Sequence, residues 1–456
     1  MPPTDSTPAA CKRKLHLTCD LYPAVLIVIF LLTAINGFYN SLNTEYGRAH
    51  TTFLFTPGDR HGDLLKAALS FPPDRPIAHP EQIPSTLLSH PYQGLSGVDQ
   101  GKLTDLHAPP LDILYFLGVK QLLIRFGPTR VIELYYALSL IAVVWLAAKF
   151  SRNLREGFLV GGVLLLSYPF LMVLSRGNAP ALLTSLALIF CIYELLVRRR
   201  GIAAALAFAL AFNCRPNILL LAPIFLVLEW RALLRAALVF GIAAPLLFGV
   251  SYLLSIHLYE GYNFAVFQKA LAIYYQKYVL GILGEPYNNS LYGVFHPLVT
   301  MLNLQPGAQD RALHLLLWMI TFGAALSILG FACLYLRRQI DAYAYIFAIG
   351  SLYVLGSSVL ATYHLFFLFI FILLLAIPKA FDAKADIRDV HLWIIGTTAF
   401  LLVPKDYLFH HGISFEIIAN PLVLSLCLLA IFRSRRSVAE AVSLKALWES
   451  LTGARP

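Results

Sequence analysis

Long apolar runs separated by short polar segments dominate this chain. A bilayer core about 30 Å thick requires roughly 20 apolar residues for one spanning helix, and a helix satisfies its own backbone hydrogen bonds there. The pattern therefore predicts an all-α, polytopic helical membrane protein with about 12 transmembrane helices. The runs are 21–39, 131–148, 158–174, 181–197, 203–212, 218–228, 236–256, 313–334, 342–361, 365–377, 391–403 and 418–432.

Lysine and arginine residues cluster at one end of these runs and indicate which end of each span faces the cytoplasm. The segments 12–14, 198–200 and 433–436 are clear examples of such basic clusters. Cytoplasmic loops of membrane proteins are enriched in these residues, so both termini are predicted to lie in the cytoplasm. Alternate loops then face outward.

The run 111–126 would reverse this arrangement if it crossed the membrane. It is short, follows two prolines, and contains Asp112, Lys120 and Arg125. Counting it as a span would place every later basic cluster on the outer side, against the usual charge bias. We therefore expect an amphipathic helix that lies along the outer membrane surface.

The predicted organisation is a cytoplasmic tail at 1–20, a transmembrane domain at 21–436 and a second cytoplasmic tail at 437–456. The large outer loops are about 40–130, with juxtamembrane helices, and 257–312. No A-x-A cleavage pattern follows the first apolar run, so we interpret that run as a retained span rather than a signal peptide.

Composition agrees with a membrane protein. The 456 residues are 58% hydrophobic and 13% charged, whereas soluble chains carry about 25% charge. The net charge of +10 comes from clusters at the ends of apolar runs, which argues against nucleic acid as a partner. The cysteines and histidines lack metal-ligand spacing, so we expect no metal and no cofactor.

The ionisable side chains that are candidates for chemistry gather on the predicted outer side. Ionisable groups are rare at membrane depth unless they line a cavity or pathway. A carboxylate facing cations and amide donors suits group transfer from a lipid phosphate, with the acid as general base and the cations stabilising the departing phosphate. The candidates are Asp63 and Asp59 as catalytic acids, and Arg215, Arg176, Asn178, Lys269, Asn289 and His364 as phosphate- or sugar-binding residues.

Each candidate also has a purely structural interpretation. Asp63 could cap the short helix that would follow it, and Asp59 could pair with Arg60; either aspartate remains a candidate for the base. Arg176 could anchor at the lipid headgroups. Arg215 lies beside a proline break, and such a break is tolerated at membrane depth where it lines a cavity.

The remaining candidates are equally open. Lys269 lies in an aromatic-rich segment that could anchor at the membrane interface. Asn289 could be an ordinary turn residue. His364 could be an interface histidine, or it could bind phosphate when protonated.

Several local patterns, in order along the chain, resemble those of GT-C class glycosyltransferases that use polyprenyl-phosphate sugars, the bacterial mannosyl- and arabinofuranosyltransferase-like family. The acidic segment 57–68 resembles the catalytic-aspartate loop of that family, and 289–293 resembles its Asn-Gln-Ser-Leu-x-Gly element. The other matching segments are 90–92, 107–111, 176–178, 215–216 and 357–364.

This resemblance implies a GT-C-like fold and a membrane-bound, inverting glycosyltransferase. The enzyme would move a monosaccharide from a polyprenyl-phosphate donor to a cell-envelope glycan or glycolipid acceptor, among membrane lipids, on the periplasmic or extracellular side of the cell (inner) membrane. Two alternatives stay open: a flippase or transporter of lipid-linked saccharide, and a polysaccharide polymerase or ligase. A transporter would favour repeated halves and paired broken helices, which the sequence does not show.

Overall fold

The computed structural model describes most of the apolar chain. The described residues are 21–36, 38, 64, 110–258, 264–265, 268, 271–272, 275–281, 288–377, 389–403, 409–410 and 413–435. The candidates Asp59, Asp63 and Lys269 and both predicted tails lie outside these residues, so the interpretations of them stay predictions.

The described chain is helical apart from one short hairpin, as the apolar pattern predicts. The first helices are α1 Leu21–Asn36, α2 Pro110–Phe150, α3 Leu154–Leu166, α4 Tyr168–Arg176, α5 Ala179–Tyr193 with a π-helical turn Glu194–Arg198, α6 Gly201–Cys214, a 3₁₀ helix Pro216–Val227 and α7 Trp230–Leu258. Then follow a π-helical turn Tyr275–Val279, α8 Leu291–Thr300, α9 Pro306–Leu336, α10 Ala342–Gly356, a 3₁₀ helix Thr362–Phe369, α11 Ile370–Leu373, a 3₁₀ turn Leu374–Ala376, α12 Asp389–Leu402, strands β1 Phe409–His410 and β2 Ile413–Ser414, and α13 Phe415–Arg433.

Five of the described helices are long and apolar enough to cross a membrane, and the bent pair α3–α4 makes a sixth. The other predicted runs correspond to helical segments of 10–17 residues. The protein is therefore a helical, membrane-embedded protein, and the number of twelve spans stays a prediction.

The short helices are tolerated because the rest of the protein surrounds them. Every residue of α10 is buried, and so is every residue of the segment Thr362–Ala376 except Tyr363. In contrast, α7 exposes Leu238, Leu253 and other large apolar side chains. This arrangement places α10 at the centre and α7 at the lipid-facing wall, where exposed apolar groups meet hydrocarbon.

Two helix breaks fall where the sequence changes chemistry. The helix α2 turns at Gly127, whose φ of 77° is a conformation that glycine adopts readily, and Pro128 follows. This break falls directly after Phe126, the last residue of the predicted surface helix, and the position of that helix along the membrane surface stays a prediction. The chain bends by 59° between α3 and α4, so the run 158–174 is a broken span rather than the straight span predicted. Ser167 is extended there, and its hydroxyl donates to the carbonyl of Leu164.

The predicted inner loops meet at one end of the bundle, which we call the basic end. The hydroxyl of Tyr22 at the start of α1 donates to the carbonyl of Phe150 at the end of α2. Lys149 and Arg198, from α2 and the turn after α5, both lie over the ring of Tyr193, at 5.0 and 5.5 Å from its centroid. Clusters that are separate in sequence are thus neighbours in space, as alternating spans require.

The central helix packs against the 3₁₀ helix at 216–227, and one buried hydroxyl forms a hydrogen bond between them. Tyr345 in α10 donates to the carbonyl of Pro223 at 2.8 Å. Changing Tyr345 to Phe should lower stability by about 1 kcal/mol, because the buried carbonyl loses a donor. Thermal unfolding in detergent would measure this loss. Ser327→Ala is the control, because its exposed hydroxyl bonds only within α9; an equal loss in both variants would contradict the expectation.

Candidate functional site

The turn between α4 and α5 holds the candidates Arg176 and Asn178. Gly177 ends α4 in the left-handed conformation, with φ 69°, and its N–H donates to the carbonyl of Val173. Asn178 is the N-cap of α5, and its Oδ1 accepts a hydrogen bond from the N–H of Ala181 at 3.0 Å. The amide oxygen of Asn178 is therefore used to begin α5.

Leu64 packs directly on this turn. It is buried, and a Cβ at Gly177 would lie 2.5 Å from the Cβ of Leu64 and 3.4 Å from its backbone nitrogen. Only a residue without a side chain permits this approach. Leu64 directly follows Asp63 in the sequence, so the acidic motif and the Arg176-Gly177-Asn178 motif are connected through a contact that the sequence did not predict.

Arg215 lies at the predicted break between two short apolar helices. Its backbone is extended, with φ −146° and ψ 93°, between the end of α6 and the 3₁₀ helix that begins at Pro216. Asn213 fixes the end of α6, because its buried Nδ2 donates to the carbonyls of Ala209 and of Ala244 in α7. The prediction of a proline break at this point is confirmed.

The segment Asn288-Asn289-Ser290 pairs with the chain between α10 and the 3₁₀ helix at 362–369. Asn288 and Ala361 form an antiparallel bridge, and the N–H of Asn289 donates to the carbonyl of Leu360 at 2.8 Å. The Asn288 side chain donates to the carbonyl of Ser358 and accepts from the N–H of Leu360. Two segments that resemble GT-C elements, 289–293 and 357–364, are thus in direct contact.

Glycine is required in this pairing. A Cβ at Gly293 would overlap the carbonyl oxygen of Asn288. The Ser290 hydroxyl, which caps α8, accepts from the N–H of Gly293 at 3.1 Å. The glycine of the Asn-Ser-Leu-Tyr-Gly element therefore lets the helix start beneath the preceding turn.

A chain of buried polar side chains runs beneath the same pairing. Asn420 Nδ2 donates to Asn289 Oδ1 at 2.6 Å, and Asn289 Nδ2 donates to Thr362 Oγ1 at 2.9 Å. The Thr362 hydroxyl then donates to Glu416 Oε1 at 2.5 Å. All four side chains are fully buried. Both polar groups of Asn289 are therefore engaged inside the protein.

His364 lies one turn beyond this chain. Its N–H donates to the carbonyl of Ala361, its ring packs against that of Tyr363 at 4.5 Å between centroids, and the side chain is buried. Arg215 is close enough for its guanidinium to interact electrostatically with the imidazole. The proline break and the 357–364 segment therefore lie within electrostatic range of each other.

The 3₁₀ helix at 362–369 also packs against α4 and α5. Phe366 contacts Phe170 of α4, with the ring centroids 5.4 Å apart. This packing joins the Arg176 turn to the segment that carries His364. Of the described candidates, Arg215 and His364 lie within electrostatic range of each other, and helix packing links Arg176, Asn178 and Asn289 to them.

The motif turns lie at the end of the bundle opposite the basic end. α5 begins beside Asn178 and leads to Arg198, while α6 begins after Arg200 and ends before Arg215. α13 begins at Phe415 and ends at Arg433. Because each helix spans the distance between the two ends, the candidates are separated from the basic clusters.

Sequence reasoning missed Glu416, Thr362 and Asn420. We began the last apolar run at Ile418, whereas α13 begins at Phe415 and includes Glu416 within its first turn. The available signal was a single acid joined to an apolar run, because an ionisable group in a membrane helix usually has a function or a partner. In the described part of the chain, no group of three or more His, Cys, Asp or Glu could hold a metal ion, and the prediction of no metal stays a prediction.

Replacing Gly177 by Ala should destabilise the protein. An L-residue in the left-handed conformation costs about 1–2 kcal/mol, and the methyl group would also displace Leu64. Gly241→Ala is the matched control, since no atom lies within 4 Å of a Cβ there and alanine favours a helix. Thermal unfolding in detergent should separate the two variants; equal melting temperatures would contradict the contact with Leu64.

Comparison with known proteins identified no relative of this chain. No protein-family model, curated protein or solved structure matches the chain. The functional argument therefore depends on the residues of this chain and on their arrangement.

Proposed function

We propose that this protein is an inverting, membrane-bound glycosyltransferase with a polyprenyl-phosphate sugar as donor. The observation that carries the proposal is the convergence of five separate segments that resemble GT-C elements. Leu64 lies on Gly177, residues 288–289 pair with 360–361, and Arg215 interacts with His364. A polar site at one end of an apolar bundle suits a substrate with a lipid tail and a charged head.

The cations of this site supply one half of the chemistry. In the proposed reaction, the bond between the anomeric carbon and the phosphate oxygen breaks, and the phosphate leaves with the electron pair. Arg215 is placed to stabilise that charge, and its Nε is buried from water, where a charge–charge interaction is stronger. Arg176 and Lys269 are the further candidate cations, and His364 can donate a ring N–H to the phosphate.

A carboxylate supplies the other half. Asp63, the residue before Leu64, takes the proton from the acceptor hydroxyl, whose oxygen attacks the anomeric carbon from the face opposite the phosphate. Asp59 is the alternative base. The Asn178 amide stabilises the turn before α5 by capping that helix. The Asn289 amide stabilises its own turn through the hydrogen bond to Thr362.

A lipid-linked saccharide transporter is the second candidate, because helix breaks at Ser167 and Arg215 are features that transporters use to line a substrate path. Purified protein in liposomes with labelled polyprenyl-phosphate sugar separates the two. A transferase makes a new glycosidic bond and releases polyprenyl phosphate, whereas a transporter returns the donor unchanged on the other side. A polymerase or ligase would release polyprenyl diphosphate, which mass spectrometry distinguishes.

Asp63→Asn should abolish sugar transfer while the protein still folds and binds donor, since the amide cannot accept the proton. Transfer from radiolabelled donor and thermal unfolding would be measured together. Asp310→Asn is the control, because Asp310 is an exposed acid at the start of α9, on the same predicted side. Full transfer by Asp63→Asn would move the base to Asp59, and full transfer by both aspartate variants would refute the mechanism.

The proposal also requires the site to face away from the cytoplasm. Cysteine placed at Gln305, exposed before α9, should react with a membrane-impermeant maleimide in intact cells. Cysteine placed at Arg200, exposed at the basic end, should react only after permeabilisation. Each variant is compared with the unsubstituted protein, because Cys333 is itself exposed. The reverse labelling would place the site in the cytoplasm.

A further inference from the structure

The buried chain from Asn420 to Glu416 has one direction. Each side chain donates to the next, so that Asn420, Asn289 and Thr362 all place their hydrogens toward the Glu416 carboxylate. Consecutive hydrogen bonds reinforce one another in a low dielectric. This direction fixes the orientation of both side-chain amides, because the NH₂ groups of Asn420 and Asn289 must point along the chain toward Glu416.

Burial makes this chain hard to rearrange. Glu416, Thr362, Asn289 and Asn420 are all shielded from solvent. A buried polar group that loses its partner costs about 1–3 kcal/mol, and more for a charged group. The chain consequently has one low-energy arrangement, and the backbone atoms attached to it are held with it.

The backbone that it holds leads directly to His364. Thr362 is the central member of the chain, and it follows Ala361, which bridges to Asn288. The N–H of His364 donates to the carbonyl of Ala361 at 2.9 Å. A shift of Thr362 would therefore move His364 relative to Arg215, which lies between α6 and the 3₁₀ helix at 216–227.

We propose that Glu416 is a positioning residue, which acts through Thr362 and Asn289 to hold the backbone that carries His364 in place for binding of the lipid phosphate. This inference rests on the proposed function. It assigns Glu416, on the last described helix, to the donor site although it does not touch the donor. It also explains why an acid is retained at the start of an otherwise apolar helix.

The test uses two substitutions of Thr362 that differ in one group. Thr362→Val keeps the shape and removes the hydroxyl, whereas Thr362→Ser keeps the hydroxyl and removes the methyl. Binding of polyprenyl phosphate, measured by the shift in melting temperature of the full chain on titration, should weaken about tenfold or more in Thr362→Val. It should stay close to that of the unsubstituted protein in Thr362→Ser. A packing role predicts the opposite order.

Thr398→Val is the matched control. Thr398 is a fully buried threonine whose hydroxyl bonds only to the carbonyl of Ile394 in its own helix. Its substitution removes the same group from the core and should leave binding unchanged. If Thr398→Val weakens binding as much as Thr362→Val, general destabilisation explains both effects and the inference is overturned.

Substitutions of Glu416 complete the test. Glu416→Gln keeps an acceptor oxygen and should weaken binding less than Glu416→Ala. Because both residues act in one chain, Thr362→Val combined with Glu416→Gln should bind about as weakly as Thr362→Val alone. Additive losses would overturn the inference.

Failure of this inference differs from failure of the proposed function. If the unsubstituted protein binds no polyprenyl phosphate and transfers no sugar, the proposed function fails, and the inference fails with it. If the unsubstituted protein binds and Thr362→Val binds equally well, the positioning role of Glu416 is refuted while the proposed function stands.

Discussion

Backbone that leaves a helix inside a membrane protein must find its hydrogen bonds within the protein. The stretch between α10 and the 3₁₀ helix at 362–369 is such a place, and the side chain of Asn288 meets this requirement by bonding to Ser358 and Leu360. The backbone can therefore leave the helical conformation at this point. Thr362 and His364 consequently occupy positions that a continuous helix would not give them. The polar end of the bundle depends on this pairing.

The same constraint explains how short helices coexist with long ones. The central helix α10 has only 15 residues, and all of them are buried, so surrounding protein rather than lipid covers its ends. The outer helices α7 and α9 have 29 and 31 residues and expose large apolar side chains on the outside of the bundle. The short inner helices therefore end within the protein, whereas the long outer helices face the lipid.

The surroundings of the charged side chains also differ between the two ends of the bundle. Cations with aromatic or carboxylate neighbours occupy the basic end, as for Arg152, which forms an ion pair with Glu156. At the other end, the buried carboxylate of Glu416 receives a chain of neutral donors, while Arg215 lies near His364.

The sequence by itself determined the helical membrane class, the grouping of basic clusters and the break at Arg215, because hydrophobic length, charge bias and proline act locally. It could not determine that Leu64 lies on Gly177 or that Asn289 bonds to Thr362, since these partners are far apart in the chain. Periodicity also missed Glu416, because one acid next to an apolar run resembles a loop residue until a partner is known. Only the tertiary structure supplied that partner, for a buried carboxylate is stabilised by the donors that packing brings to it.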